Sequence, residues 1–332
     1  MCSSIPSTVL GLTITALVSN IPDQAISFDP NLSIPWGIIV DGDLIWVANS
    51  RSGIVTIYDR LGTPMLPFVT VFGTIGQQLS PTGIALNRTD GYVVRNGPVR
   101  YPSQLLICTR EGTINGYNEL VDPENSRLLV RSEACYTGIA VSRLVYVTDF
   151  LNRKIDTFDG ILRPVNLPFI DSNSFDPIPP NYSPYNITLI GDFLYVSYAP
   201  QDPLENQYAL PGVGHGYVSI FDLFGRFVRR FTSKGVLNCP WAVLPIPSTF
   251  GYPSGSIAIG NFGSGLITVH DIDGNYLDTM RAVDQNPIYL GGLHGLCSGS
   301  VFDRALYWAS TQAGISEAFV GNIVIHNDFF IG

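Results

Sequence analysis

The sequence is poor in charged residues, above all in lysine, and this shortage excludes one class of partner. Charged side chains make up 14% of the 332 residues, and the basic ones are 16 arginines and two lysines, Lys154 and Lys234. The net charge is −9 and the isoelectric point is about 4.8. Proteins that bind nucleic acid need a basic surface to neutralise phosphates. We therefore expect no nucleic-acid partner.

Cysteine is also scarce, and its spacing argues against a disulfide framework or a zinc site. The five cysteines are Cys2, Cys108, Cys135, Cys239 and Cys297. None belongs to a CxxC pair, and their number is odd. We expect free thiols, two of them (Cys108 and Cys297) inside predicted strands, where a thiol acts as a small apolar side chain. This pattern favours a reducing compartment or a protein indifferent to redox state.

Long apolar runs and export signals are absent as well. Residues 1–18 are apolar in part, but no Lys or Arg precedes the run, as a secretory signal would require. The run is also too short to cross a bilayer. We expect a soluble protein without a membrane span, intracellular or associated with a virus particle rather than secreted.

The sequence has no window of 12 or more residues with convincing helical periodicity, which favours strands throughout. Glycine and proline are abundant, at 33 and 24 residues, as expected for many tight turns. We therefore expect an all-β protein.

A heptapeptide recurs six times and predicts the architecture. Each copy has an aromatic residue or His in sixth place and ends in Asp or Asn. The copies are GIVTIYD from Gly53, GTINGYN from Gly112, RKIDTFD from Arg153, GYVSIFD from Gly216, GLITVHD from Gly265 and GNIVIHN from Gly321. Repeats at intervals of roughly 40 to 65 residues are typical of a β-propeller.

Two further repeats complete the prediction of a six-bladed β-propeller. A short inner strand and a β-rich middle strand precede each heptapeptide, so that blades begin near residues 35, 81, 136, 184, 240 and 292. Outer strands are predicted at 68–72, 128–131, 227–232 and 277–282. The one after Asp159 is weakened by Pro164 and Pro168. We expect one domain over 1–332, with residues 12–19 closing the ring as the outer strand of the last blade, which removes free sheet edges.

The residues that end the heptapeptides could be mistaken for a carboxylate array. Asp and Asn side chains accept hydrogen bonds from nearby backbone amides in turns. We therefore interpret all six as turn caps: Asp59, Asn118, Asp159, Asp222, Asp271 and Asn327. His270 and His326 replace the aromatic residue of the repeat and are expected to be structural, whereas His215 is expected in a solvated loop.

Four segments go beyond a generic propeller pattern. They are LVSNIP with DPNLSIPWG near the start, FDPIPPNYSPYN from Phe175, VLNCPW from Val236 and GNFGSG from Gly260. From about Leu12 to Gly299 they resemble, in order, a family of NHL-like six-bladed propellers. That family is known mainly as uncharacterised exported bacterial proteins, some with a PEP-CTERM sorting tail, and it has no established activity to carry over. Ala242 and His294 depart from its pattern, as does the lack of export and sorting signals.

The mouth of the axial channel is the predicted binding site. The second residue of each inner strand should ring it: Trp36, Thr82, Thr137, Tyr185, Trp241 and His294. A residue near the end of each middle strand should lie beside them: Asn49, Arg110, Asp149, Tyr198, Asn261 and Ser310. We single out Trp36, Tyr185, Trp241, His294, Arg110 and Tyr198 as candidates for a small-molecule pocket. Alternatively, the Pro-Trp pairs only plug the ring.

A metal-dependent enzyme is the alternative interpretation of the same ring. Asp149, Asn49 and Asn261 carry the oxygen ligands that calcium prefers, and His294 could act as a general base or metal ligand. Asp149 is the only charged member, however, and Glu111 is the only other acid predicted nearby. We therefore favour no metal and no cofactor, with a calcium-dependent lactonase, esterase or lyase as the alternative.

The function that the sequence favours is a non-enzymatic binding or scaffold propeller. Its partner would be a protein or a small molecule at the channel mouth, and the protein could be a structural component of an assembly such as a virus particle. The long connection at 199–215 should overhang the mouth as a lid or a binding arm. Other long connections are predicted at 88–103 and 160–183.

Overall fold

A computed structural model describes residues 11–74, 77–299, 304–312 and 316–325. Within these ranges the chain forms six sheets of three to five strands, one separate two-stranded hairpin and a single 3₁₀ turn at Ser248–Phe250, with no α-helix. The sheets follow one another along the chain, and their inner strands contact each other around a closed ring. The predicted six-bladed β-propeller is confirmed.

The first three blades occupy residues 35–158. Blade one contains β3 (Pro35–Asp41), β4 (Leu44–Asn49), β5 (Ile54–Asp59) and β6 (Pro64–Thr70). Blade two contains β7 (Pro81–Leu86), β10 (Leu105–Thr109), β11 (Thr113–Tyr117) and β12 (Arg127–Arg131). The sheet of blade three contains β13 (Tyr136–Val141), β14 (Val145–Asp149) and β15 (Lys154–Phe158). A hairpin of β8 (Val93–Asn96) and β9 (Val99–Pro102) extends from blade two.

The last three blades complete the ring. Blade four contains β16 (Tyr182–Ile190), β17 (Phe193–Pro200), β18 (Tyr217–Asp222) and β19 (Phe227–Ser233). Blade five contains β20 (Pro240–Pro245), β21 (Ile257–Asn261), β22 (Ile267–His270) and β23 (Tyr276–Thr279). Blade six contains β24 (Leu293–Cys297), β25 (Ala305–Gln312), β26 (Glu317–Ile325) and β1 (Leu12–Ser19), with β2 (Ser27–Phe28) alongside β1.

Ring closure follows the prediction. Strand β1 spans Leu12–Ser19 and pairs antiparallel with β26, from Leu12 opposite Ile325 to Ser19 opposite Phe319. The same strand buries Leu17 and Val18 in a core cluster with residues of blades one and six. The N-terminal strand is thus the outer strand of the last blade.

The outer strands are where the predicted boundaries differ most from the structure. In blade one, β6 begins at Pro64, four residues before the predicted start at Phe68. In blade three, an isolated bridge between Phe158 and Pro164 stands in place of a fourth strand, as the proline content suggested. Proline removes a backbone donor, so it is tolerated only at a sheet edge.

Most of the turn caps behave as predicted. The Oδ1 atom of Asp59 accepts hydrogen bonds from the amides of Leu61 (2.9 Å) and Thr63 (2.8 Å). Asp159, Asp222 and Asp271 each accept from the amides two and four residues later, and Asn118 accepts from the amide of Leu120. These side chains hold the turns that follow the third strands. Asn327 and His326 lie outside the described residues.

The inner strands approach each other too closely for ordinary side chains at one position. The third residue is Gly in four of them (Gly37, Gly83, Gly138 and Gly295), Asn186 in blade four and Ala242 in blade five. A Cβ atom on Gly138 would lie 2.8 Å from the Cα of Asn186, and one on Gly295 would lie 2.4 Å from the carbonyl oxygen of Trp36. Glycine at this position therefore allows the blades to close into a ring.

Candidate functional site

A β-bulge at the start of every inner strand positions the predicted ring residues. In blades three to six the pairing between the inner and the middle strand skips one inner-strand residue, and in blades one and two it skips two inner-strand residues opposite one of the middle strand. In blade five, for example, Pro240 pairs with Asn261 and Ala242 with Gly260, which leaves Trp241 unpaired between them. Bulges re-aim side chains, and here the re-aimed residues are Trp36, Thr82, Thr137, Tyr185, Trp241 and His294.

Four of these ring residues meet in one aromatic cluster. The ring centroids of Trp36 and His294 are 4.4 Å apart, and Trp36 lies 6.5 Å from both Tyr185 and Trp241. Phe262, from the loop after β21, stacks on His294 at 4.3 Å. All five side chains are buried or half-buried, so the cluster closes the axial channel. The plug predicted from the Pro-Trp pairs is therefore present.

The polar atoms of the cluster divide into satisfied and unsatisfied groups. Trp241 Nε1 donates to the carbonyl oxygen of Thr137 at 3.1 Å, and Thr82 Oγ1 donates to the carbonyl of Tyr136 at 2.8 Å. In contrast, Trp36 Nε1 and both ring nitrogens of His294 are buried without a hydrogen-bond partner among the described residues. Buried polar groups are rarely left unpaired, and each such group destabilises the fold.

The environment keeps the His294 imidazole neutral. The side chain is only 4% exposed. Burial lowers the pKa of His294 well below 6.5, and the charge of Arg110 lowers it further. A neutral imidazole offers one N–H donor and one acceptor nitrogen. His294 is therefore available for hydrogen bonding to a bound group at neutral pH.

Above the cluster lies a cavity of about 550 Å³, which we call the mouth cavity. Trp36, Tyr185, Phe262 and His294 contribute its aromatic floor. The other described residues that line it are Ile34, Ser50, Arg51, Ser80, Arg110, Gln207, Tyr208, Ala209, Pro211, Gly263, Gly292 and Thr311. The volume lies within the range of roughly 300 to 1,000 Å³ that small-molecule sites occupy.

The predicted lid reaches this cavity. Residues 207–209 and Pro211 of the 199–215 loop form part of its wall. Tyr208 packs on the guanidinium of Arg110, with Cζ of Arg110 4.2 Å from the ring centroid, and Arg110 Nη2 donates to the carbonyl of Gln207 at 3.4 Å. His215 Nδ1 lies 2.8 Å from the carbonyl oxygen of Leu210 within the same loop. His215 thus lies in the predicted loop and is half-buried there.

Arg110 lies against the floor of the cavity as well as against the lid. Its Cζ is 5.8 Å from the ring centroid of Trp36, opposite the contact with Tyr208. Cation–π contacts of this kind fix the guanidinium plane and leave its in-plane N–H groups directed outward. Arg110 and Trp36, two of the residues predicted at the channel mouth, are thus in contact and both line the cavity.

The three residues considered as calcium ligands have other partners. Asp149 Oδ1 accepts from the amides of Cys135 and Asn152, each at 3.2 Å, and Asp149 Oδ2 accepts from Asn152 Nδ2 at 2.6 Å. Asn49 Oδ1 accepts from the amide of Ser33 at 3.1 Å. Asn261 Oδ1 likewise accepts from the amide of Asn238 at 2.9 Å. Each side chain thus ties the end of a middle strand to the segment that leads into its own inner strand.

These contacts leave little capacity for a metal ion. The Asp149 side chain is fully buried, and burial raises its pKa above the usual value although three hydrogen bonds oppose the rise. Among the described residues there is no group of three or more His, Cys, Asp or Glu side chains placed to hold a metal. Ser310, the corresponding residue of blade six, is buried with its hydroxyl unpaired.

Two predicted binding residues lie elsewhere. Tyr198 belongs to the core cluster of blades three and four, with Tyr146 and Tyr217, and is not among the described residues that line the mouth cavity. Trp241 instead lines a second cavity of about 400 Å³, formed by the later residues of the inner strands at the opposite end of the channel.

The remaining histidine and cysteine predictions agree with the structure. His270 is buried and its ring nitrogens lie 3.2 Å from the carbonyl of Gly274 and from Thr268 Oγ1, as expected for a structural residue. Cys108 and Cys239 are buried free thiols, and burial raises the pKa of each to about 12. These thiols are therefore protonated and unreactive at neutral pH. Cys2 lies outside the described residues.

The fold and the site define a six-bladed β-propeller with a cavity at the mouth of its channel. No family model matches the sequence. Two uncharacterised proteins of Acanthamoeba polyphaga mimivirus, R648 and L690, are related over 93% of this chain. R648 is 39% identical over 318 residues and L690 is 35% identical over 315, covering 79% and 84% of those proteins. The chain belongs to this family of uncharacterised viral proteins.

Solved structures share the fold at low sequence identity. A streptogramin B lyase matches with a TM-score of 0.55 at 13% identity, over 96% of this chain and 99% of that one. The calcium-binding protein regucalcin from Agrobacterium tumefaciens matches with a TM-score of 0.56 at 10% identity, over 97% of each chain. At such identities these matches establish the propeller fold alone. No helix in the described ranges is long and apolar enough to cross a membrane.

Proposed function

We propose that this protein is a binding propeller that takes a small molecule in the mouth cavity. The observation that carries the proposal is a set of three buried, unpartnered polar side chains in its described lining: Trp36, His294 and Thr311. An unpaired buried donor or acceptor costs about 1–3 kcal/mol. A ligand that pairs with these groups would recover this energy, which supports a site for a bound molecule rather than a packing fault.

The composition of the cavity supports binding rather than catalysis. The described lining residues include no carboxylate and no thiol. Asp149, the acid considered for an enzyme, is committed to the amides of Cys135 and Asn152. General acid–base and nucleophilic catalysis both need a titratable group within hydrogen-bond reach of a partner. His294 is the one imidazole in the described lining, and neither of its nitrogens has such a partner.

An NMR titration tests the proposal. The indole N–H signals of a ¹⁵N-labelled sample are assigned with the variants Trp36→Phe and Trp46→Phe, and planar fragments, both neutral and charged, are then added. We expect fragment binding to move the Trp36 signal and to leave the Trp46 signal in place, because Trp46 lies in another core cluster of the propeller.

Matched variants sharpen this test. His294→Phe should weaken fragment binding because it removes a hydrogen-bonding group from the floor, whereas Trp46→Phe should not affect it. If no fragment in a broad set moves the Trp36 signal, the cavity is a packing feature and the proposal fails.

We infer a second, compatible role from the relatives, which come from a giant virus: the propeller works in the virus particle or in the infected cell. Mass spectrometry of purified particles, soluble cell extract and medium tests this role. Recovery from particles or extract supports it. Recovery from the medium alone would instead match the exported bacterial propellers that the sequence resembles.

A further inference from the structure

The mouth cavity is positively charged in a protein that is negatively charged as a whole. Its described lining contains Arg51 and Arg110 but no Asp or Glu, although the net charge of the chain is −9. Neither arginine forms an ion pair with a carboxylate of the described residues. The neighbouring acid, Glu111, is not among the described lining residues, and its Oε2 accepts from the amide of the lining residue Ser80 at 2.9 Å.

Arg110 is held in place without a partner for its charge. Tyr208 packs on the guanidinium from the lid, and Trp36 packs on it from the floor. The weak hydrogen bond from Nη2 to the carbonyl of Gln207, at 3.4 Å, is the one that its guanidinium forms within the described residues. A guanidinium has five N–H donors in a fixed fork that fits a carboxylate. Most of these donors are thus available to a ligand.

The hydrogen-bonding capacity of the lining is biased towards donors. Trp36 Nε1 can only donate, Arg110 can only donate, and neutral His294 supplies one donor and one acceptor. A ligand that satisfies these groups must therefore offer more acceptors than donors. The aromatic rings of Trp36, Tyr185 and Phe262 add an apolar surface of ring faces and edges beside them, since Tyr185 meets Trp36 at 85° and Phe262 at 72°.

We propose that the ligand is a small organic acid, with a carboxylate on the Arg110 fork and a planar apolar body on the aromatic floor. This inference rests on the proposed function and specifies the class of its ligand. A single half-buried guanidinium matches one monoanionic carboxylate. Arg51, which is exposed at the rim, attracts anions towards the opening against the negative charge of the remaining surface.

Three probes of one shape test the charge requirement: 2-naphthoate, neutral 2-naphthamide and 2-naphthyl phosphate. Binding is followed by the Trp36 indole signal at constant ionic strength. We expect 2-naphthoate to bind roughly 10- to 100-fold more tightly than 2-naphthamide, the gain of a hydrogen bond to a charged group. Tighter binding of the phosphate than of the carboxylate would overturn the choice of a carboxylic acid.

Two variants test whether Arg110 causes the preference for 2-naphthoate over 2-naphthamide. Arg110→Gln should reduce 2-naphthoate affinity to that of 2-naphthamide and leave 2-naphthamide affinity within about twofold. The matched control is Arg226→Gln, which removes an exposed arginine paired with Asp222 at 2.6 Å in a turn of blade four. This control should leave the binding of all three probes unchanged. The thermal midpoint of each variant confirms that it is folded.

The outcomes separate this inference from the proposed function. Equal binding of the charged and neutral probes, with no effect of Arg110→Gln, overturns the organic acid but keeps a small-molecule site. If neither the three probes nor the broad fragment set moves the Trp36 signal, the proposed function fails, and the ligand class fails with it.

Discussion

The rings of Phe262 and His294 stack with their centroids 4.3 Å apart and their planes 29° from parallel. Phe262 follows β21 of blade five, and His294 is the second residue of β24 in blade six. The contact joins the two blades at the channel mouth through an apolar face of the imidazole. The nitrogens at the ring edge gain no hydrogen bond from it.

Replacing His294 by Phe should stabilise the protein. The variant keeps the aromatic contacts and removes two unpaired buried nitrogens, so we expect the free energy of unfolding to rise by about 1 kcal/mol at pH 7. Urea denaturation measures it. A loss of stability would show that the imidazole has a hydrogen-bond partner. If His294→Phe is more stable than the wild type and also binds the ligand more weakly, His294 lowers the stability of the wild type in favour of binding.

The same variant should change the dependence of stability on pH. Burial lowers the pKa of His294 in the folded state, whereas the unfolded side chain titrates near 6.5. Below about pH 6.5 the unfolded state therefore binds the extra proton, and the wild type loses up to about 1.4 kcal/mol per pH unit from this residue. The free energy of unfolding of His294→Phe, measured by urea denaturation, should fall less between pH 7 and pH 5.5 than that of the wild type. An equal fall in the two proteins would contradict a buried neutral imidazole.

Asp149→Asn should be tolerated. Asparagine keeps the oxygen that accepts from the amide of Cys135, and Asn49 and Asn261 fill the same place in two other blades. We expect a change in the free energy of unfolding within about 1 kcal/mol. Asp149→Ala should instead cost about 2 kcal/mol, because it leaves buried amides unpaired. Both variants should bind 2-naphthoate as the wild type does, because Asp149 lies outside the described lining of the mouth cavity. Loss of binding in Asp149→Asn would show that the charge of Asp149 contributes to binding.

Gly138→Ala should be strongly destabilising. The new methyl group would lie 2.8 Å from Asn186 Cα, a backbone atom that cannot move alone. Overpacking of this kind costs about 1–3 kcal/mol. Gly160→Ala is the matched control, because its methyl group would meet only Gly91 Cα, at 4.0 Å. Equal thermal midpoints for the two variants would mean that the inner strands can separate at no cost.

Tyr208→Ala should release the 199–215 loop without unfolding the propeller. The variant removes the stacking on Arg110 that joins lid and floor. We expect amide hydrogen exchange in residues 202–214 to become roughly tenfold faster while exchange in β17 and β18 stays slow. Phe175→Ala, at a side chain that is 99% exposed, is the control. Unchanged loop exchange would show that other contacts hold the lid.

The repeats were sufficient to predict the blades but not all of their edges. The recurring heptapeptide located the third strands, most of which are buried along nearly their whole length, and the need for a strand to close the ring located Leu12–Ser19. The β8–β9 hairpin was predicted as a loop, although Gly97-Pro98, with a positive φ of 58° at Gly97, forms a two-residue hairpin turn that begins with glycine. Strand β6 begins early because an edge strand tolerates Pro64 and Pro67, which sequence patterns count as breakers.

Prediction of the site was accurate for the ring and poor for its surroundings. Counting along the inner strands brought Trp36, Tyr185 and His294 together. The repeat could not show that Asn49 and Asp149 turn back towards backbone amides, since that depends on how each loop enters its blade. Tyr208 and Phe262 were missed as cavity residues because both lie in loops, outside any periodic pattern.

Closure of the ring by β1 and β26 has a consequence for how the protein is made. Asn20 and Ser316, which are hydrogen-bonded beside this junction, are 296 residues apart. Strand β1 is therefore synthesised long before its partner β26, and the first five blades form an open arc until blade six is complete. Joining such distant segments is slow. Blade six also supplies Gly292, His294 and Thr311 to the mouth cavity, so a chain that ends before this blade lacks part of the cavity lining.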